Sequence, residues 1–286
     1  MAIKERGADR SAAMPLTEHL RELRNRLVKS GLAIGVGMVI GWIYYAQIFA
    51  WVSAPFDSII AQAKADGHEI TLALTGVADP FVLQIQLSAL AGVVLASPIW
   101  LYQLWRFITP GLHGHERRWA IGFAAVATPL FAAGVILAYT VLPYGLQVLF
   151  GFTPEGVENI VSVDKYLSFF IRTILIFGVG FLVPLLLVLL NFAGVVTGRR
   201  LISWWRWIVV SILLFAAVAT PTGDPINLLL LAVPILILVM LAVGVCLLND
   251  RRRARRRKGI DIDYDALDDD ETSPLDERPS PLDDDA

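Results

Sequence analysis

Charge is scarce in this chain. Of its 286 residues only 17% are Asp, Glu, Lys or Arg, against 56% hydrophobic; an ordinary globular domain carries about 25% and roughly 45–50%. The scarcity is concentrated. Residues 31–52, 80–105, 119–142, 173–196, 207–220 and 225–248 carry no charge. Most of these stretches exceed the roughly 18 apolar residues that mark a membrane-crossing helix, which excludes an ordinary water-soluble domain. Cysteine is nearly absent. Cys246 stands alone in the last stretch, which excludes an intrachain disulfide and a cysteine pair for a metal, and leaves packing as its role. No phosphate-cradling Gly-rich loop, no nucleophile–base set and no His/Cys metal spacing occur, so neither an enzyme nor a cofactor is expected. The four histidines, His19, His68, His113 and His115, lie in polar segments. Inside the stretches the polar groups include Gln84, Gln86, Gln103 and scattered Ser and Thr. A solute transporter needs more polar groups near the membrane midplane.

What is present is an all-α membrane protein of six transmembrane helices. The first stretch is too long for a typical signal-peptide core, and more helices follow it, so it is read as a mature span. An even number of crossings puts both termini on one side. The four segments facing that side, 1–30, 106–118, 197–206 and 249–286, hold 21 of the 24 Lys and Arg residues. Positive residues stay in the cytoplasm, so both termini are expected there. Three parts follow: a cytoplasmic amphipathic segment over 1–30, the membrane domain over 31–248 and a tail over 249–286. The tail's basic run, 251–258, suits anionic lipid. Its acidic remainder cannot bury enough apolar surface to fold.

Prolines inside the stretches, Pro98, Pro129, Pro184 and Pro234, each remove a backbone bond and bend a helix, giving a concave, kinked bundle. They are either ordinary membrane-helix prolines or hinges. Asp79–Pro80 and Asp224–Pro225 read as helix starts, the acid capping amides and proline fitting the first helical position. The fifth stretch is short: 14 residues span about 21 Å against a hydrocarbon core of about 30 Å, which thins the bilayer locally.

Two clusters mix acid with arginine. In "EHLRELRNRL" (18–27), Leu16, Leu20, Leu23 and Leu27 recur on one helical face, with charges around the rest; this is an interfacial amphipathic helix running into the first span. Glu22 is either a helix-surface partner of Arg26, worth about 0.2–0.5 kcal/mol, or part of a ligand site. Glu116, in "HGHERRW" (113–119), has the same two readings beside Arg117 and Arg118. Two carboxylates converging on one patch suit a ligand with two guanidiniums, which carboxylates bind through paired hydrogen bonds.

The segments "EHLRELRNRL", "SAPF" (53–56), "SPIWLYQLWRFITPGLHGHERRW" (97–119) and "TPTGDP" (220–225) resemble the TatC component of the twin-arginine protein translocase, from about residue 16 to 248. The resemblance implies a receptor for paired-arginine signal peptides on folded precursors, in the cytoplasmic membrane of a prokaryote. It also implies TatA- and TatB-type single-span partners, self-association, energy from the proton-motive force, and no nucleic-acid partner. In that reading Glu22 and Glu116 receive the arginine pair, Arg24, Arg26 and Arg117 orient the patch, and Leu20, Phe107 and Leu112 flank it. Pro55 matches a functionally sensitive turn in the first outside loop. Asp224 matches an aspartate between the last two spans, and a capping role there is compatible. Two positions depart from the family pattern: Leu182 stands where a Glu or Gln is common, and Asn227 is out of register with a common glutamine.

Overall fold

In hydrocarbon no water is present to satisfy backbone groups, so spanning segments must be helical. The protein was described from a computed structural model covering residues 16–65, 70–108, 116–154, 157, 159–219 and 225–258. Ten helices appear among the described residues: α1 (Leu16–Ile43), α2 (Tyr45–Ala65), α3 (Asp79–Leu95), α4 (Ser97–Ile108), α5 (Glu116–Phe150), α6 (Val163–Gly180), α7 (Val183–Phe192), α8 (Gly198–Ser203), α9 (Trp205–Ala219) and α10 (Pro225–Lys258). The departure from an all-helical chain is a two-stranded parallel sheet, β1 (Ile70–Ala73) on β2 (Asn159–Ser162), with Ile70 opposite Asn159 and Ala73 opposite Ser162. Both strands lie between the charge-free stretches, on the side opposite the arginine-rich segments in the six-span reading, and apolar and polar residues alternating before Asp164 are the trace of β2.

Four helical segments are long and apolar enough to cross a membrane: Leu20–Ile43, Ile121–Phe150, Val163–Phe192 and Leu228–Arg255. A fifth consists of α3 and α4 together, bent by 59°. The bend falls at Ala96, two residues before Pro98, where Trp100 Nε1 donates to the carbonyl of Val93 at 2.9 Å. Pro184 starts α7, while Pro129 and Pro234 lie inside α5 and α10. The apolar helix Trp205–Val218 is shorter. At 1.5 Å per residue, the 15 residues of α9 span about 22 Å, as the sequence suggests.

Three boundaries differ from the sequence reading. The first apolar span is Leu20–Ile43, not 31–52. Counting charge-free residues misplaces it because Arg21, Glu22, Arg24 and Arg26 already belong to the same helix as the apolar residues after them. The fourth begins at Val163, because exposed Arg172 does not interrupt α6; its long side chain leaves the helix intact. The basic run expected in the tail is also helical, continuing α10 to Lys258. Residues 1–15 and 259–286 lie outside the described residues.

The crossing of α1 over α3 brings the two backbones into close contact. Gly37 and Gly41 on α1 face Gly92 and Ser88 on α3. A Cβ at Gly92 would lie 2.6 Å from the Ile34 carbonyl oxygen, and one at Gly41 3.0 Å from that of Ser88. Small residues four apart on both helices let the backbones touch, the usual basis of helix association in lipid. Elsewhere the core is aromatic and aliphatic, with Phe56, Trp105, Phe131 and Phe170 fully or almost fully buried.

Candidate functional site

The first turns of α1 place Glu22 and Arg26 four residues apart, so the two side chains meet on one helix face. They form an ion pair through Arg26 Nη2 and Glu22 Oε1. The bland reading of Glu22 is therefore correct as far as it goes. Yet this is not a fully solvated surface pair: Arg26 is 9% exposed and the Glu22 side chain 28%. Glu22 Oε2 and Arg26 Nε and Nη1 are buried with no hydrogen-bond partner among the described residues. A buried pair stabilises only when its remaining donors and acceptors are satisfied. Among the described residues this one leaves an acceptor oxygen and two donors unmet.

Around this pair Arg24 is exposed, as is Leu20 at 62%. Leu23 and Leu27 are exposed too, so the leucine face of α1 points away from the protein, as an interfacial helix requires. α1 runs antiparallel to α3 and packs along α3 and α4. The last turn of α4 holds exposed Arg106 and half-buried Phe107, and Glu116 opens α5. Glu22, Phe107 and Glu116 thus share one end of the bundle. The side chains of Glu116 and Arg117, and Leu112 altogether, lie outside the described residues, as does Asp224.

Pro55 is not in a turn. It sits buried inside α2, where proline deprives the carbonyl four residues back of its helical donor. That carbonyl belongs to Trp51, and it accepts from Tyr139 Oη of α5 at 3.0 Å. The next carbonyl, of Val52, accepts from Tyr166 Oη of α6 at 2.7 Å. The Trp51 ring also stacks on Tyr139 at 4.2 Å. Proline thus frees the Trp51 carbonyl for the Tyr139 hydroxyl, and the Tyr166 bond to Val52 ties the same stretch of α2 to a second span. Nothing in the sequence marks either tyrosine; a proline four residues after a tryptophan, with tyrosines elsewhere, carries no spacing that identifies the bond.

Asp79 also acts differently from a simple cap. Its Oδ2 accepts from the backbone N–H of Thr75 (3.1 Å) and Gly76 (2.6 Å), closing the turn before α3 rather than capping amides inside it. Pro80 fits the first helical turn as expected. Gln86 Nε2 donates to Asp164 Oδ1 at 3.3 Å, joining α3 to α6. Leu182 is buried at the α6–α7 break. Asn227 falls in α10, with its side chain outside the described residues. Among the described residues no group of three or more His, Cys, Asp or Glu is arranged to hold a metal.

Comparison with known proteins agrees with this architecture. Residues 18–234 match the family model described as Sec-independent protein translocase protein (TatC). The chain is 46% identical over 268 residues to the Sec-independent protein translocase protein TatC of Frankia casuarinae, covering 92% of this chain and 73% of that one. It is 41% identical over 247 residues to the protein of the same name from Xylanimonas cellulosilytica, covering 86% and 88%. A crystal structure of the twin arginine translocase receptor TatC, determined in DDM, matches with a TM-score of 0.68 at 33% identity. The match covers 80% of this chain and 99% of that one.

Proposed function

The chain belongs to the TatC family of Sec-independent protein translocase proteins, and on that premise we propose that Glu22 and Glu116 form its receptor for paired-arginine signal peptides. The observation that carries this reading is the half-satisfied pair on α1. Glu22 keeps a buried oxygen without a partner among the described residues, at the end of the bundle where Glu116 opens α5. An incoming guanidinium supplies the missing donors in a bidentate geometry that lysine cannot match. Arg26 holds Glu22 in place and competes with the ligand for it. Arg24 and Arg117 tune the patch, with Leu20, Phe107 and Leu112 beside it to meet the apolar part of the signal.

In this reading the chain crosses the cytoplasmic membrane of a prokaryote six times, the bent α3–α4 pair and the short α9 each making one crossing, with both termini in the cytoplasm. Its arginine-rich segments then lie on the positive side. It acts as a transport component rather than an enzyme, self-associating and working with TatA- and TatB-type single-span proteins under the proton-motive force. Pro55, through the docking of α2, and Asp224 belong to the opposite side of the membrane. The signal's apolar segment lies along a concave, kinked face of the bundle.

The test is capture of a signal peptide bearing Arg-Arg against the same peptide bearing Lys-Lys, by wild type, Glu22→Gln and Glu116→Gln. Selective capture of Arg-Arg, weakened by about 2–5 kcal/mol in either variant with membrane level and melting temperature unchanged, is expected. Equal capture of both peptides, or variants that bind like wild type, returns Glu22 to a structural ion pair.

A further inference from the structure

We propose that a second, separate site binds the phosphate-bearing headgroup of an anionic phospholipid, in the cavity between the α7–α8 connection and the arginine-rich end of α10. The cavity measures about 680 Å³, within the roughly 300–1,000 Å³ of small-molecule sites. Its lining includes Arg199, Arg251 and Arg253 against a single carboxylate, Asp250.

That carboxylate is already committed inward. Asp250 Oδ1 accepts from Asn191 Nδ2 at 2.9 Å, and Oδ2 accepts from the backbone N–H of Gly198 at 2.6 Å. Asn191, 1% exposed, also donates to the Val196 carbonyl and accepts from Asn249 Nδ2, each at 2.9 Å. The floor of the cavity is thus a closed hydrogen-bond network that fixes the connection against α10. Arg253 is fixed as well, donating through Nη2 to the Phe192 carbonyl at 2.6 Å. Gly194 turns the chain beside it. Its φ of 79° suits glycine, and a Cβ there would sit 3.5 Å from Arg253 Nη1. A preset guanidinium flanked by two exposed ones is a phosphate-binding arrangement.

The surroundings identify the phosphate as a lipid's. On α10 the residues before the cavity are apolar and those after it arginines, so the cavity lies where the helix leaves hydrocarbon. Trp204, Trp205 and Trp207 are exposed nearby, as expected at a membrane–water boundary. Arg200 lies over the Trp204 ring at 4.7 Å. An apolar groove of about 240 Å³ between α9 and α10 is lined by Leu201, Trp205 and Val243, among others. Val243 is one helical turn from Leu247, which lines the cavity, so an acyl chain has an apolar surface beside the headgroup.

The experiment is native mass spectrometry of the full chain in detergent, titrated with phosphatidylglycerol, phosphatidylcholine or glycerol 3-phosphate. Arg199→Gln/Arg251→Gln removes two lining charges and leaves the Arg253 anchor. Arg252→Gln/Arg255→Gln removes the same charge from the same helix end but outside the lining. Wild type is expected to retain phosphatidylglycerol over phosphatidylcholine. The lining variant loses about 30-fold in affinity, the effect of two interfacial arginines, and the control pair stays within about threefold. Equal losses in both variants, equal retention of the two lipids, or glycerol 3-phosphate binding as tightly as the lipid would each overturn the proposal.

Discussion

Replacing Gly92 by alanine is expected to push α1 off α3, and the size of the effect follows from the crossing. The new Cβ would lie 2.6 Å from the Ile34 carbonyl oxygen, 2.9 Å from the Met38 nitrogen and 3.2 Å from the Met38 Cα. All three are backbone atoms, so no side chain can rotate away and the helices themselves must separate. Overpacking of this kind costs about 1–3 kcal/mol. Alanine also recovers about 1 kcal/mol of helix propensity relative to glycine, which masks part of the loss. Gly31→Ala cancels that term, because a Cβ at Gly31 meets nothing within 4 Å. The difference between the two variants therefore isolates the clash. At about 2–4 °C per kcal/mol, Gly92→Ala should unfold about 2–12 °C below Gly31→Ala. Tryptophan fluorescence of the detergent-solubilised protein, at one protein and detergent concentration, measures it. Gly92→Ala melting at or above Gly31→Ala would refute the close crossing.

Two further outcomes follow from the hydrogen bonds. Tyr139→Phe should cost about 1 kcal/mol in the native background. It should cost less than half of that beside Pro55→Ala, because alanine restores the helical donor to Trp51; additive losses in thermal melts would break the link between the proline and the tyrosine. Asn191→Leu keeps the volume but strands the partners of a buried amide, at about 1–3 kcal/mol for each group left unsatisfied. It should expose the α7–α8 connection to trypsin after Arg199 and Arg200, and unchanged digestion would show that the connection is held by other contacts.

The sequence shows the spans where apolar residues run without charge, because hydrophobic length is a local property. It loses the boundaries where charge and apolarity share one helix, as at Arg21–Arg26 and at Arg172. The two-stranded sheet joins residues nearly ninety positions apart, and only the alternation before Asp164 hints at it. At the candidate site the residue types and the Glu22–Arg26 spacing were legible. The burial of Arg26 and the unmet capacity of Glu22 were not, since both depend on packing of α1 along α3 and α4. The turn expected at Pro55 is part of α2 for a similar reason. A proline looks like a turn until the hydroxyl that answers its freed carbonyl is seen, and this one comes from Tyr139 of α5.

The glycine crossing has a mechanical consequence. α1 is one unbroken rod from Leu16 to Ile43, in close contact with α3 from Ile34 to Gly41, a stretch centred near Gly37. Measured at 1.5 Å per residue, Glu22 stands about 22 Å from that contact and Ile43 about 9 Å on the other side of it. A rod that tilts about such a fulcrum moves its two tips in opposite directions, with the longer arm travelling about two and a half times as far. A sub-ångström shift where α1 meets α2 thus becomes a displacement of an ångström or more at Glu22, comparable to the difference between a formed and a broken hydrogen bond. On such a fulcrum, a tilt of α1 would be amplified at Glu22 because Glu22 stands on the longer arm.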